Sequence, residues 1–200
     1  MQSLTGITKI GKEQPCKGEQ NAIRTKGESK MNKKFELLLD DTITIFGIRL
    51  FRIKALISFG SVEEGEIGGY VEKEDNLSSS GNAWVYGDAW VSGNALVYGD
   101  ARVSGDARVS GNARVYGNAW VSGDAEVYGN ADYIVFKNNW SSGRYFTYTR
   151  SNKMWRVGCF YGTGQELIKK AYQDSEESGK HYEAYVEFVE KLEKLEETND

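Results

Sequence analysis

Across 200 residues this chain has one proline, one histidine and two cysteines, and each scarcity removes a class of reading. A zinc centre built on three histidines cannot be assembled around the single His181. Cys16 and Cys159 lie far apart and lack the spacing of a metal or redox pair, so a reducing cytoplasm is the expected compartment. No apolar run reaches about 18 residues, and the N-terminus has no apolar stretch of a signal peptide. With a mean hydropathy of −0.55, a membrane is not an expected partner.

What is present is unevenly placed. The composition, 40% hydrophobic and 27% charged with a net charge of −4, fits one ordinary soluble domain or a core with appendages. Residues 135–164 carry 5 basic and no acidic groups, whereas residues 165–200 carry 5 basic and 11 acidic groups. A basic insert thus precedes an acidic tail.

The most regular stretch is Gly81–Ile134, nine consecutive hexapeptides of the form G-[ND]-A-x-V-x. In the first eight units Val points inward as the centre of a minimal strand, the ninth, GNADYI, carrying Tyr133 there; the neighbours of this residue point outward, and Ala fills a second, tighter inward position. Gly with Asn or Asp supplies the corner, because these residues tolerate positive φ or bond local backbone. Strand and corner alternate, so the chain must coil, and stacking of units is what buries their apolar side. These hexamers, with Val85 followed four positions later by Ala89, resemble the hexapeptide repeat of left-handed parallel β-helices. In that family three hexamers form one triangular coil, which implies three coils here and a stub roughly 15 Å tall.

An eighteen-residue period places the outward residues in columns. One face is expected to present Trp84, Arg102 and Trp120, with Tyr86 and Ser104 beside them. The second presents Trp90, Arg108 and Glu126, and the third Leu96, Arg114 and Asp132 with Tyr98 and Tyr116. Arg102 should lie between two tryptophans, and Arg108 and Arg114 should pair with Glu126 and Asp132 one coil away. The Asn and Asp corners are expected to bond their own turns.

On either side of the repeats the pattern changes. Residues 1–30 are polar and without a period, which predicts disorder. Lys26-Gly27-Glu28 before Met31 can also be encoded as a ribosome-binding site ahead of a start codon, so residues 1–30 are alternatively a non-native extension with translation beginning at Met31. Residues 31–80 read as a β cap and a degenerate first coil, with Val71 and Leu77 in the register of the Ala column. A cap is required because a bare solenoid end exposes unpaired backbone and open core. The cap and repeats, roughly residues 45–134, resemble bacterial and prophage hexapeptide-repeat proteins often labelled polymer-forming.

Residues 135–164 predict a basic, aromatic β-hairpin turning at Ser151-Asn152. Pairing Arg150 with Lys153 puts Phe146, Tyr148, Trp155 and Val157 on one face. Thr163 and Glu166 form a capping box for a first helix. A second, with Tyr182, Tyr185, Val186, Val189 and Leu192 on one side, is expected after a break near Ser178-Gly179. The fold class is therefore mainly β: a left-handed parallel β-helix of about three coils, an N-terminal β cap, and a C-terminal hairpin with two α-helices over residues 165–200.

Hexapeptide proteins include acyltransferases and γ-type carbonic anhydrases, which rely on histidines. This chain has no histidine in its repeats and no loop interrupting them, so an acyltransferase is the unfavoured alternative and no cofactor or metal is expected. The insert's Arg144, Arg150 and Arg156 among aromatics suit either stacked bases or an acidic partner. The favoured expectation is that the aromatics pack the hairpin onto the β-helix end and the basic groups face the acidic helices, so nucleic acid is not the favoured partner. Outward aromatics and arginine at Trp84, Tyr86, Trp90, Tyr98, Arg102 and Trp120 exceed what folding needs and have the composition of a binding hot spot. The expected function is a non-catalytic protein-interaction module. Its specific form is a phage-encoded inhibitor of a host protein or protein complex, such as a component of antiviral defence, acting in the host cytoplasm, and its alternative is structural self-assembly into a homo-oligomer, either a trimer or an end-to-end polymer.

Overall fold

The computed structural model describes residues 33–197; the expectations for residues 1–30 lie outside them. Its centre is a parallel β-solenoid of about three turns, built from two-residue strands β4 (Trp84–Val85), β5 (Trp90–Val91), β6 (Leu96–Val97), β7 (Arg102–Val103), β8 (Arg108–Val109), β9 (Arg114–Val115), β10 (Trp120–Val121) and β11 (Glu126–Val127). Strands pair with their equivalents eighteen residues on, as in Trp84 with Arg102 and Arg102 with Trp120. The Val and Ala columns form one continuous buried core. Backbone bonds run along the axis between successive coils, as from Arg102 N to Ala119 O at 2.8 Å. Gly105 shows why the corner is glycine: its φ is +73°, and a Cβ there would lie 2.9 Å from the Gly123 carbonyl oxygen.

Corner side chains bond across coils rather than within their own turns. Asn82 Nδ2 donates to Asp100 Oδ1 at 2.7 Å, and Asn94 Nδ2 to Asn112 Oδ1 at 3.3 Å. Arg108 and Glu126 form the expected pair at 2.9 Å. Asp132 instead turns back, its Oδ2 accepting from the N–H groups of Tyr128 and Gly129 at 2.6 and 2.8 Å. A carboxylate that closes a terminal turn this way is held away from Arg114.

The N-terminal cap is an antiparallel unit of β1 (Phe35–Ile45), β2 (Ile48–Ala55) and β3 (Ile67–Val71), which extends one solenoid face into a sheet of order β1-β2-β3-β5-β8-β11. Val71 pairs with Val91 and Leu77 with Val97, so both stand in the Val column rather than the Ala column. The cause is a two-residue insertion at one corner. Ser78 N bonds Val97 O whereas Asn82 N bonds Gly99 O, which leaves Ser79 and Ser80 as extra residues in a turn held by Ser80 N to Ser78 Oγ at 3.2 Å.

The cap also spreads over two outer faces, which corrects the exposure expected for two tryptophans. Trp84 is fully buried, its ring edge-on to Phe35 and Phe59 at 6.3 and 5.4 Å. Gly68 permits this approach, since a Cβ there would stand 2.7 Å from the Trp84 Cζ2. Trp90 is buried with Leu50 and Tyr70 beneath the β1–β2 hairpin. Carbonyls of the first coil meet cations of the cap: Lys34 Nζ donates to Ala83 O at 2.7 Å and Ser78 O at 3.3 Å, and Arg52 to Gly87 O at 2.9 Å. Burial pushes the Lys34 ammonium down to about 8.

After the last coil, β12 (Tyr133–Lys137), β13 (Tyr145–Thr149), β14 (Met154–Val157) and β15 (Phe160–Gly162) form a four-stranded antiparallel meander. Phe146 pairs with Val157 and Tyr148 with Trp155, the register expected. The sheet faces the other way round, however. Its aromatic face buries against helices α1 (Gly164–Asp174) and α2 (Glu176–Glu197), and its polar face meets the solenoid end. Thr147 Oγ1 accepts the Trp120 N–H at 2.9 Å and Ser151 Oγ accepts the Glu126 N–H at 2.8 Å. Backbone donors of a terminal coil need acceptors, and an aromatic face offers none. The Thr163–Glu166 capping box opens α1 as expected. The helices divide at Ser175 rather than near Ser178-Gly179, with Ser175 in extended conformation. None of the described helices is long and apolar enough to cross a membrane.

Candidate functional site

Where the polar face of the C-terminal sheet meets the coils, it stops short of covering the column that begins with Trp84. The gap is a cleft of about 580 Å³ between the Asn82/Asp100/Asn118 corner and β13–β14, lined by Arg102, Trp120, Arg144 and Arg156 among others. Trp120 is its half-buried floor. The indole Nε1 donates to Ser104 Oγ at 2.9 Å, so the ring is held at two points with its backbone bond to Thr147. Arg156 lies over that ring at 3.7 Å and Arg102 at 5.1 Å from the centroid. Arg144, on the loop before β13, is exposed at the rim.

The electrostatics of this cleft are unbalanced. Among the described residues no carboxylate lies within 4.0 Å of Arg102, Arg144 or Arg156. Asp100, the acidic group lining the cleft, is engaged by Asn82. The Arg156 Nε is buried without an acceptor, and burial first, then the charge of Arg102, lowers its affinity for the proton. Two guanidinium groups share one aromatic ring, whose negative face offsets part of their repulsion. An arriving anion would supply the rest.

Of the nine residues expected to bind a partner, four meet here: Arg102, Trp120, Arg144 and Arg156. Tyr86 is half-buried beside the cleft, its hydroxyl 3.3 Å from the Ser61 Oγ. Tyr98 lies on another face, stacked on Tyr116 at 5.4 Å. Arg150 opens on a separate groove with Leu192 and Glu193. Trp84 and Trp90 are interior, as described above. Asn82, Asp100, Tyr145 and Thr147 also shape the cleft. The columns already placed Asn82 and Asp100 at one corner, whereas Tyr145 and Thr147 arrive only through docking of the sheet.

Other titratable groups lie elsewhere. His181 sits on α2 with Nδ1 2.8 Å from the Glu177 carbonyl oxygen, and Cys159 is an exposed thiol at the β14–β15 turn. Among the described residues no cluster of three or more His, Cys, Asp or Glu is placed to hold a metal ion.

Fold and cleft together define a capped β-solenoid repeat protein with a cationic, aromatic cleft at its C-terminal junction. A family model described as the YdcK beta solenoid repeat matches residues 89–105 and 107–123. The match takes in Arg102 and Trp120 but neither cap nor the C-terminal sheet. No curated protein matches the chain.

Proposed function

We propose that this protein is a non-catalytic interaction module that grips an acidic segment of a partner protein in the Arg102/Trp120/Arg144/Arg156 cleft. The observation that carries this reading is two arginines, Arg102 and Arg156, on the Trp120 ring and a third, Arg144, at the rim of the same cleft, with no carboxylate within 4.0 Å of any of them among the described residues. The half-buried Arg156, whose Nε has no acceptor, is a cost to stability that a ligand would relieve. Between Gly81 and Gly129 the coils extrude no loop that could carry catalytic groups. The specific form of the reading, a left-handed hexapeptide protein encoded by a phage to block a host protein, is supported by the resemblance of the cap and repeats.

The test is capture from host lysate with the full chain and with its Arg102→Glu/Arg144→Glu variant. A protein retained by the wild type and lost with the variant, then rebound as purified protein, supports the module. Identical captures by both chains would sink it. A second reading, side-by-side self-association, is favoured by one observation: the face carrying the Tyr98–Tyr116 stack leaves Tyr116 exposed. It requires a solution mass above the 22.4 kDa of one chain that falls to that value in Tyr116→Ser.

A further inference from the structure

We propose that the ligand group taken by this cleft is a phosphate monoester dianion. This rests on the reading of the cleft as a binding site and names the chemistry it would select. The cleft presents three guanidinium groups against the single carboxylate of Asp100, which is already hydrogen-bonded to Asn82 at 2.7 Å. That leaves an excess of two positive charges. A side-chain carboxylate carries one negative charge and two coplanar oxygens, a match for one guanidinium fork; a phosphate monoester carries close to two charges and three terminal oxygens.

The three arginines come from three separate elements, β7, the loop before β13, and β14, so they line one volume from different walls. Such a set suits a tetrahedral oxyanion better than a flat one. Arg156 is the most constrained of the three, held over Trp120 with its Nε buried and unpartnered. The rim is bare where an ester would leave the cleft. A Cβ on Gly143 would meet nothing within 4 Å, and one on Gly158 only the Arg144 Cδ at 3.8 Å. The volume of about 580 Å³ exceeds what a phosphate group alone fills and leaves room for part of its carrier. The chain's net charge of −4 opposes a long polyanion, which favours one phosphate over a nucleic-acid backbone.

The experiment is calorimetric titration of the full chain with inorganic phosphate, and with one short peptide carrying in turn phosphoserine, glutamate or serine. Saturable binding of phosphate and phosphopeptide is expected, with the glutamate peptide about tenfold weaker. Arg144→Gln and Arg156→Gln should each weaken phosphopeptide binding about tenfold, and the exposed Arg144 keeps the test valid if the Arg156 variant unfolds. Lowering the pH from about 7.5 to about 5 protonates the phosphoserine, whose second pKa is about 6, and should weaken its binding roughly tenfold. Asp100, Tyr145, Cys159, Tyr161 and the three arginines face the cleft or act on Arg156. Sulfate, dianionic throughout, is the control for their own titration and should not follow the phosphopeptide.

Phosphopeptide binding tighter than phosphate would place the group on a partner's side chain, and phosphate binding at least as tightly would place it on a free ester; either supports the proposal. Equal affinity for the glutamate peptide overturns it while leaving the acidic-segment reading intact. An unphosphorylated oligonucleotide that binds more tightly than phosphate overturns it in favour of phosphodiesters. Absence of binding by every anion overturns both readings.

Discussion

The guanidinium of Arg156 lies 3.7 Å from the centroid of the Trp120 ring, and this contact joins two parts of the chain that fold on different principles. Trp120 is placed by the repeat, in column with Arg102 and Trp84. Arg156 is placed by a hairpin whose aromatic side is committed to the helices, which leaves its alternate residues, Thr147 and Arg156, facing the solenoid. The cleft is a product of that alternation. Had the hairpin docked by its aromatic face, Trp120 would be covered by Phe146 and Trp155, and no cation would reach it.

The first prediction separates the ring from its bulk. Trp120→Phe keeps an aromatic face under Arg156 and Arg102 but loses the Nε1 bond to Ser104. It should retain phosphopeptide binding within about threefold. Trp120→Ala should abolish binding and, for a half-buried ring, cost about 2 kcal/mol in denaturant unfolding. Equal binding by the alanine variant would remove Trp120 from the site.

The second concerns Trp84, which occupies the same column but is interior. Trp84→Ala should cost about 3–5 kcal/mol by opening a cavity under Phe35 and Phe59. Trp84→Phe should cost far less than its lost volume suggests, because the Nε1 it removes is buried without an acceptor. Urea unfolding of both variants decides the matter, and a loss under about 1 kcal/mol for alanine would return Trp84 to the surface.

These two tryptophans show what can and cannot be read from the repeat. Column membership follows from a period of eighteen residues, so Trp84, Arg102 and Trp120 in one stack and the Arg108–Glu126 pair were legible. The hairpin register of Tyr148 with Trp155 was legible for the same reason, since alternation leaves one sensible pairing. Exposure was not legible, because it depends on where the cap folds back. Nothing local in Phe35 or Phe59 reveals that they close over Trp84. The Ser79-Ser80 insertion was hidden too: a corner tolerates two extra polar residues without breaking the six-residue pattern on either side. For the cleft, one of its three cations, Arg102, stands in the repeats and two, Arg144 and Arg156, arrive by docking, so only Arg102 could be tied to Trp120 in advance.

The third prediction is a pH dependence at the N-terminal cap. Lys34 is buried against the carbonyls of Ala83 and Ser78, and burial brings its folded pKa to about 8 from 10.5. Above pH 8 the unfolded chain binds more protons at this residue than the folded one, so stability gained from Lys34 rises with pH between about 8 and about 10. Below pH 8 both states hold the proton and the full desolvation cost stands. The stability difference between wild type and Lys34→Met should move in favour of the wild type by about 2–3 kcal/mol across that window. A flat difference would mean the ammonium is solvated.

The fourth follows from how the two ends are closed. In a parallel ladder a residue's N–H and C=O point to the same neighbouring strand and successive residues alternate, so each end of a solenoid presents bare donors and bare acceptors, and two copies could join end to end. Here carbonyls at the N-terminal end are met by Lys34 and Arg52, and amides at the C-terminal end by the oxygens of Asn130, Thr147, Ser151 and Asp132. Each cap carries the complementary group, so a second coil has nothing left to pair with at those positions. Removing residues 131–200 uncovers the amides of Trp120, Glu126 and Tyr128 together with the edge of the Val column. The truncated chain should show a mass in light scattering that grows with concentration, while the full chain shows no end-to-end growth. Removing the acceptors alone cannot be done by truncation, so Thr147→Val with Ser151→Ala is the companion variant. It should speed hydrogen exchange at the Trp120 and Glu126 amides and cost about 2 kcal/mol without adding mass. A truncated chain that stays at constant mass would show that the C-terminal end is harmless when bare, and that the C-terminal sheet is there for the cleft rather than for closure.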